Sequence, residues 1–216
     1  MKVNTLLFDL DGTLVDTNSI IVKSLEVVFQ TYLPDVDTSL ELFKECIGPP
    51  LEVSFSRYTT KERVQEMIQA YRTYYKANEH LYYSIYPNVI DVLTTLKAQG
   101  YYLGVVTSKF RDSALPSMVH YGIDSLMDVI VGLDDVTNAK PDREPVDLAL
   151  SKLPNHTGAI MIGDNATDVQ SGQNAGVYSA GVAWAFKGRD QLAAVNPDYM
   201  LEDMTDLYEI LNELNK

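Results

Sequence analysis

The sequence is poor in the residues that form covalent or metal cross-links. Cys46 is the only cysteine, so an internal disulfide is excluded. The three histidines, His80, His120 and His156, are scattered rather than placed at the spacing of metal ligands, and we expect no zinc site.

Basic residues are also scarce. The chain has 17 Lys and Arg against 30 Asp and Glu, a formal net charge of -13. Nonspecific binding to a phosphate backbone requires a basic surface, so we expect no nucleic-acid partner. A small phosphorylated substrate remains compatible with this charge if a metal ion and a few lysines reverse it locally.

Long hydrophobic runs are missing as well. No apolar run approaches the roughly 20 residues that cross a bilayer, so we expect no membrane partner. The start Met1-Lys2-Val3 leads into the first predicted strand without a signal-peptide pattern. We therefore expect a cytoplasmic protein, and the sequence makes no prediction about its oligomeric state.

The most informative stretch that is present is Phe8-Asp9-Leu10-Asp11-Gly12-Thr13, which follows a predicted buried strand at residues 3–7. It places two carboxylates at the carboxyl end of that strand, the edge where open parallel sheets bind ligands. Gly12 supplies the backbone freedom of a tight turn. Such a pair can divide nucleophilic or metal-binding work from proton transfer, although Asp-Gly also forms ordinary solvated turns.

Strand and helix patterns alternate over the second part of the chain. The predicted strands are residues 101–106, 128–132, 159–162, 178–182 and a short one at 198–201. Their alternation with helices predicts an α/β, Rossmann-like parallel sheet with helices on both faces. Before them lie about 70 residues with helical patterns, far more than a crossover needs. We therefore predict a helical domain at residues 16–84, inserted after the first strand into a core formed by residues 1–15 and 85–216.

Polar groups follow each strand that we place in the middle of the sheet: Asp9 and Asp11, then Thr107, then Asp164, with Lys140 in a loop at the same edge. Individually, Thr107 and Asp164 could be helix caps and Lys140 a solvated lysine. Together these residues predict a phosphoryl-transfer site, because that chemistry needs charges placed around phosphorus.

Each of these groups has an expected role. Asp9 can attack phosphorus and form an aspartyl-phosphate, and Asp11 can protonate the leaving oxygen and then deprotonate water. Thr107 and nearby amides can hold phosphoryl oxygens, while Lys140 neutralises Asp9 and the transferring group. Asp164 completes a site of oxygen ligands suited to Mg²⁺.

These stretches resemble the motifs of the haloacid dehalogenase-like phosphatases: Phe8 to Thr13, Val105-Val106-Thr107, Lys140-Pro141, and Gly163-Asp164-Asn165 with Asp168. The resemblance implies Mg²⁺ bound by Asp9, the main-chain carbonyl of Asp11, and Asp164, with Asp168 supporting the metal site or Lys140. It implies that the inserted helical domain is a cap that closes over the site. An Asp at position 11 favours phosphate release, since the dehalogenases and phosphonatases of the family lack it.

Further stretches are similar to the bacterial cytoplasmic pyrophosphatases associated with serine-phosphorylated HPr: Ile47-Gly48-Pro49-Pro50-Leu51, Leu133 to Val136, Gln173 to Gly176, Trp184 to Arg189, and Pro197 to Leu201. Arg143 departs from that pattern, because a proline is more usual there. The resemblance implies pyrophosphate as the substrate. Phosphoglycolate or another small phosphomonoester is the alternative, and a non-catalytic phosphate-sensing protein is the alternative of a different class.

A second phosphate group would need cations or amides around it. The candidate substrate-binding residues are Thr107, Ser108, Lys109, Lys187, Arg189 and the backbone near Gly48. The alternative for the long cationic side chains is that they are solvated surface residues.

Overall fold

The computed structural model describes residues 2–216. In the first part of the chain the elements are β1 (Thr5–Phe8), β2 (Val15–Asp16), α1 (Asn18–Tyr32), α2 (Leu40–Cys46), α3 (Leu51–Phe55), α4 (Lys61–Asn78) and β3 (Ser84–Ile85). They are followed by α5 (Val89–Ala98), β4 (Tyr102–Val106), α6 (Arg111–Tyr121), β5 (Val129–Val131), α7 (Glu144–Ser151), β6 (Ala159–Gly163), α8 (Ala166–Ala175), β7 (Tyr178–Val182), α9 (Arg189–Ala193), β8 (Tyr199–Leu201) and α10 (Asp206–Leu214).

Six strands form one sheet in the order β5-β4-β1-β6-β7-β8, and each neighbouring pair is parallel. In the register, Phe8 of β1 lies opposite Val105 of β4 and Ile162 of β6. The predicted parallel α/β fold is confirmed. Strand order reverses at β1, so the carboxyl ends of β4, β1 and β6 flank the crevice typical of ligand binding in such sheets.

The sheet is buried on both faces, which explains why β1 reads as a continuous apolar run. Leu6 and Phe8 belong to the larger hydrophobic cluster, with α5 and α10 residues such as Leu93 and Leu207. Leu7 points to the other face and joins a second cluster that includes Val146 of α7. Alternate residues of one strand therefore hold a helix layer on each side of the sheet.

The chain divides into two compact units, Met1–Val15 with Ile85–Lys216, and Asp16–Ser84. The second unit is helical, and its interior is aromatic. Phe29 of α1 packs edge-to-face against Phe43, Phe55 and Tyr58, and Tyr71 stacks on Tyr75 within α4. Tyr71 also packs edge-to-face against Phe55 of α3, so the aromatic side chains of α4 contribute to packing between helices. Across residues 2–216, none of the helices is both long enough and apolar enough to cross a membrane.

Candidate active site

Three strand ends assemble the site. Asp9 follows β1, Thr107 follows β4 and Asp164 follows β6. Backbone pairing extends past the strands, because the Asp9 amide donates to the Ile162 carbonyl at 2.8 Å and the Thr107 amide to the Val131 carbonyl at 2.9 Å. Hydrogen bonds between strands thus position the backbone of Asp9 and Thr107 independently of their side-chain contacts.

Lys140 links the buried carboxylates. Its Nζ donates to Asp9 Oδ1 at 2.7 Å and to the Val106 carbonyl at 2.9 Å, and it lies 2.6 Å from Asp168 Oδ1. An ammonium group has three N–H donors, and these three acceptors use all of them. Lys140 is only 5% exposed, so its charge is compensated by the two carboxylates rather than by water.

Asp168 has a second contact that fixes its direction. Its Oδ2 accepts a hydrogen bond from the Asn165 amide at 2.9 Å, in a capping box at the start of α8. Space here is limited, because a Cβ added at Gly163 would lie 2.2 Å from the Asp168 Cβ. Glycine before Asp164 therefore permits Asp168 to approach the strand end closely enough to reach Lys140.

The site has more buried negative than positive charge. Burial raises the pKa of Asp9 to about 7, and the neighbouring Asp168 carboxylate adds to the rise, although Lys140 opposes it. Burial, together with the nearby carboxylates of Asp9 and Asp168, also raises the pKa of Asp164 well above its ordinary value. The pKa of Lys140 is raised although burial opposes its charge, because both paired carboxylates favour the ammonium form.

The carboxylate cluster suits a divalent cation. One oxygen from each of Asp9, Asp164 and Asp168 lies within 4.8 Å of the others, and all three residues are buried. No lysine or arginine of residues 2–216 lies within ion-pair distance of Asp164, and Lys140 is shared by the other two carboxyl groups, so the cluster has more acidic groups than cations. A hard divalent ion with oxygen ligands would balance the charge of these groups, and Mg²⁺ is such an ion. The donor set therefore fits the metal that the resemblance of the sequence implies.

Gly12 makes room for Asp164. It has a φ of +85°, and a Cβ at this position would lie 2.2 Å from Asp164 Oδ2 and 2.6 Å from its Cγ. A side chain here would therefore require both a disfavoured backbone conformation and displacement of the carboxylate. The turn between Asp11 and Thr13 thus has two separate reasons to contain glycine.

Asp11 lies at the partly exposed side of the site and pairs with Lys109. The Lys109 Nζ donates to Asp11 Oδ1 at 2.8 Å, with the two side chains 17% and 15% exposed. The Lys109 backbone amide donates to Thr107 Oγ1 at 3.1 Å. Lys109, three residues after the end of β4, thus contacts both Asp11 and Thr107.

The remaining predicted substrate-binding residues are distributed differently. The Lys187 Nζ donates to Asn165 Oδ1 at 3.5 Å, next to Asp164 in the chain. Arg189 instead forms an ion pair with Glu202, and both side chains are more than half exposed. Ser108 is half-buried beside Thr107, and Gly48, with a φ of +101°, belongs to the helical unit.

Sequence patterns missed two features of the site. The Val106 carbonyl is the third acceptor of Lys140, and no sequence pattern identifies a backbone oxygen as a ligand. The amide of Asn165 directs Asp168, and here a signal was present, because Asn at a helix start with an acidic residue three positions later is the capping-box pattern.

Comparisons with known proteins agree with this geometry. Residues 6–182 match the family model described as haloacid dehalogenase-like hydrolase. The chain is similar to the pyrophosphatase PpaX of Halalkalibacterium halodurans, with 42% identity over 98% of each chain. It is similar to the pyrophosphatase PpaX of Bacillus velezensis, with 45% identity over 97% of this chain and 96% of that protein. A solved haloacid dehalogenase-like family hydrolase from Streptococcus pneumoniae superposes with a TM-score of 0.83, at 28% identity over 96% of this chain and 98% of the other.

Proposed function

We propose that this chain, which belongs to the haloacid dehalogenase-like hydrolase family, is a magnesium-dependent phosphohydrolase that cleaves inorganic pyrophosphate. The observation that carries the proposal is the buried cluster at the strand-order reversal, where Lys140 joins Asp9 to Asp168 beside Asp164. The choice of pyrophosphate rests on the relatives named as pyrophosphatases, which match this chain over nearly its full length.

In the first step we propose that Asp9 is the nucleophile. A carboxylate oxygen of Asp9 forms a bond to phosphorus, the bridging P–O bond breaks, and inorganic phosphate leaves with the electron pair. Asp11 donates a proton to the leaving oxygen. Lys140, held by three acceptors, orients the Asp9 carboxylate and balances the charge of the transferring group.

In the second step, water attacks the aspartyl-phosphate. Asp11 takes a proton from that water, the bond between Asp9 and phosphorus breaks, and the Asp9 carboxylate is restored. Thr107 and the neighbouring amides, including that of Ser108, hold the phosphoryl oxygens through both steps.

Magnesium would be held by Asp9, Asp164 and the main-chain carbonyl of Asp11, with Asp168 in support, and it would supply positive charge to the phosphoryl oxygens. The second phosphate group of the substrate would be bound by Lys109 and by Lys187. Arg189 would reach that phosphate only by leaving Glu202. We further propose that the helical unit, Asp16–Ser84, which contains Gly48, acts as a cap domain.

The test is phosphate release in the presence of Mg²⁺ from pyrophosphate, phosphoglycolate and a panel of sugar phosphates. Wild type is compared with Asp9→Asn and with Asp147→Asn, which removes a partly exposed carboxylate of α7 that pairs with Arg143. We expect the highest kcat/KM on pyrophosphate, loss of turnover in Asp9→Asn, and no loss in Asp147→Asn. A preference for a phosphomonoester would overturn the proposal of pyrophosphate as the substrate and leave the proposed mechanism standing. No turnover on any substrate would favour a phosphate-sensing protein.

A further inference from the structure

Lys140 lies in a loop, residues 136–143, that contains no helix or strand. Hydrogen bonds to neighbouring helices hold this loop both before and after Lys140. The half after Lys140 is fastened to α8. The Ser171 hydroxyl donates to the Asp142 carbonyl at 2.6 Å, and the Asn174 side chain donates to the Pro141 carbonyl at 2.8 Å. These bonds hold the exit of the loop against the same helix that presents Asp168.

In the half before Lys140, Val136 packs against the second hydrophobic cluster, and the next two residues are hydrogen-bonded to the carboxylate of Glu144. Its Oε1 accepts from the Thr137 amide at 2.8 Å, and its Oε2 accepts from the Asn138 amide at 2.8 Å and from the Asn138 side chain at 2.9 Å. Hydrogen bonds to an ionised acceptor are roughly twice as strong as neutral ones. Accordingly, these amides lower the pKa of Glu144.

Glu144 itself is held in place. It is the first residue of α7, and its amide donates to Asp142 Oδ1 at 2.8 Å. A carboxylate at a helix N-terminus also interacts favourably with the helix dipole. The anchor therefore connects the entrance of the loop to a regular element that packs on the sheet through Val146.

The position of Lys140 depends on both attachments. Its Nζ must meet acceptors from three separate places, the ends of β1 and β4 and the first turn of α8. A shift of the loop backbone would lengthen at least one of these bonds, because the ammonium has no spare donor. A displacement of about 1 Å in a catalytic group costs roughly hundredfold in rate.

We propose that Glu144 is a positioning residue for catalysis, which sets the backbone from which Lys140 reaches the Asp9 and Asp168 carboxylates. The inference rests on the proposed function, since Lys140 is taken to act on the phosphoryl group. Sequence patterns assigned no role to Glu144, and its hydrogen bonds are to the loop rather than to the reacting groups.

The test uses Glu144→Gln and Glu144→Ala, with Asp147→Asn as the matched control. Asp147 is an acidic residue on the same helix, and its partner is Arg143 rather than the amides of the loop entrance. We expect kcat to fall about tenfold to hundredfold in Glu144→Ala with KM near that of wild type, and to fall less in Glu144→Gln, which retains one acceptor. Amide hydrogen exchange at Thr137 and Asn138 should accelerate in both variants and stay unchanged in the control.

A double-mutant cycle separates positioning from general stability. In a Lys140→Met background, Glu144→Gln should cause no further loss of kcat, because the group that it positions is already absent. A full additional loss there, an unchanged kcat in Glu144→Ala, or unchanged exchange at the two amides would each overturn the inference. If wild type hydrolyses none of the substrates, the proposed function fails, and the exchange measurement still decides whether Glu144 holds the loop.

Discussion

Gly12→Ala tests the role of Asp164, because it introduces both backbone strain and a steric clash with the Asp164 carboxylate. Substitutions at other glycines introduce only one of these two effects. At φ +85° an alanine adopts a left-handed backbone conformation that costs about 1–2 kcal/mol. Its Cβ would also lie 2.2 Å from Asp164 Oδ2. The first effect acts on stability, and the second acts on the proposed metal ligand.

The expected size follows from the distances. To reach an ordinary contact of 3.4 Å, the Asp164 carboxylate must retreat by about 1 Å. A displacement of that size in a reacting group costs roughly hundredfold in kcat/KM, equivalent to about 3 kcal/mol of transition-state stabilisation. The backbone strain should lower the melting temperature by a few degrees, since about 1 kcal/mol shifts it by about 2–4 °C in a chain of this length.

Two further glycines isolate the two effects. Gly100 has a φ of +88° with no atom within 4 Å of an added Cβ, so Gly100→Ala carries the backbone strain alone. The φ of Gly163 is not positive, and a Cβ there would lie 2.2 Å from the Asp168 Cβ, so Gly163→Ala introduces a clash without the backbone strain, although against Asp168 rather than Asp164. We expect Gly100→Ala to lower the melting temperature with kcat/KM unchanged, and Gly163→Ala to lose activity as Gly12→Ala does.

The assay is Mg²⁺-dependent phosphate release by the three variants, together with thermal unfolding of each. Wild-type kcat/KM in Gly12→Ala would refute the reasoning, because Asp164 would then tolerate the clash or have no part in turnover. An equal loss of activity in Gly100→Ala would refute it differently, by attributing the effect to backbone strain.

Two other predictions concern the carboxylates. Without metal, the folded state should bind more protons than the unfolded state between about pH 4 and 7, because the pKa of Asp9 is raised from 3.8 to about 7. Asp9 should therefore contribute a fall of about 1.4 kcal/mol per pH unit to the free energy of unfolding of the chelator-treated protein in that window, in addition to a fall from Asp164. Asp9→Asn should remove the Asp9 share of this slope in pH-dependent thermal unfolding. In Asp11→Asn, hydrolysis of a phosphate ester should suffer more than hydrolysis of pyrophosphate, because an alkoxide needs protonation and inorganic phosphate leaves readily. Equal losses of kcat on pyrophosphate and phosphoglycolate would contradict that role of Asp11.

Much of the fold could be predicted from local patterns. The apolar run before Asp9 predicted a strand buried on both faces, and β1 is such a strand. The predicted strand at residues 178–182 coincides with β7. These predictions succeeded because hydrophobic periodicity reflects which side chains an element must bury.

Contacts at the site were harder to predict, because each depends on where a long side chain ends. Lys109 and Arg189 were both expected near a second phosphate group. In the structure Lys109 pairs with Asp11, whereas Arg189 pairs with Glu202 on an exposed surface. Both lysine and arginine have flexible stems, so their positions in the chain do not determine their partners.

By itself, the sequence determined the alternation of strands and helices and the residue types that follow each strand. Those features are local, and parallel strands necessarily bring their carboxyl ends to one edge of the sheet. Only the tertiary structure decided that β1 lies between β4 and β6, and that Lys140 reaches an aspartate 131 residues away and shares its charge with Asp168. The physical reason is that strand order, register and the path of the Lys140 loop arise from packing between distant segments, which no local pattern contains.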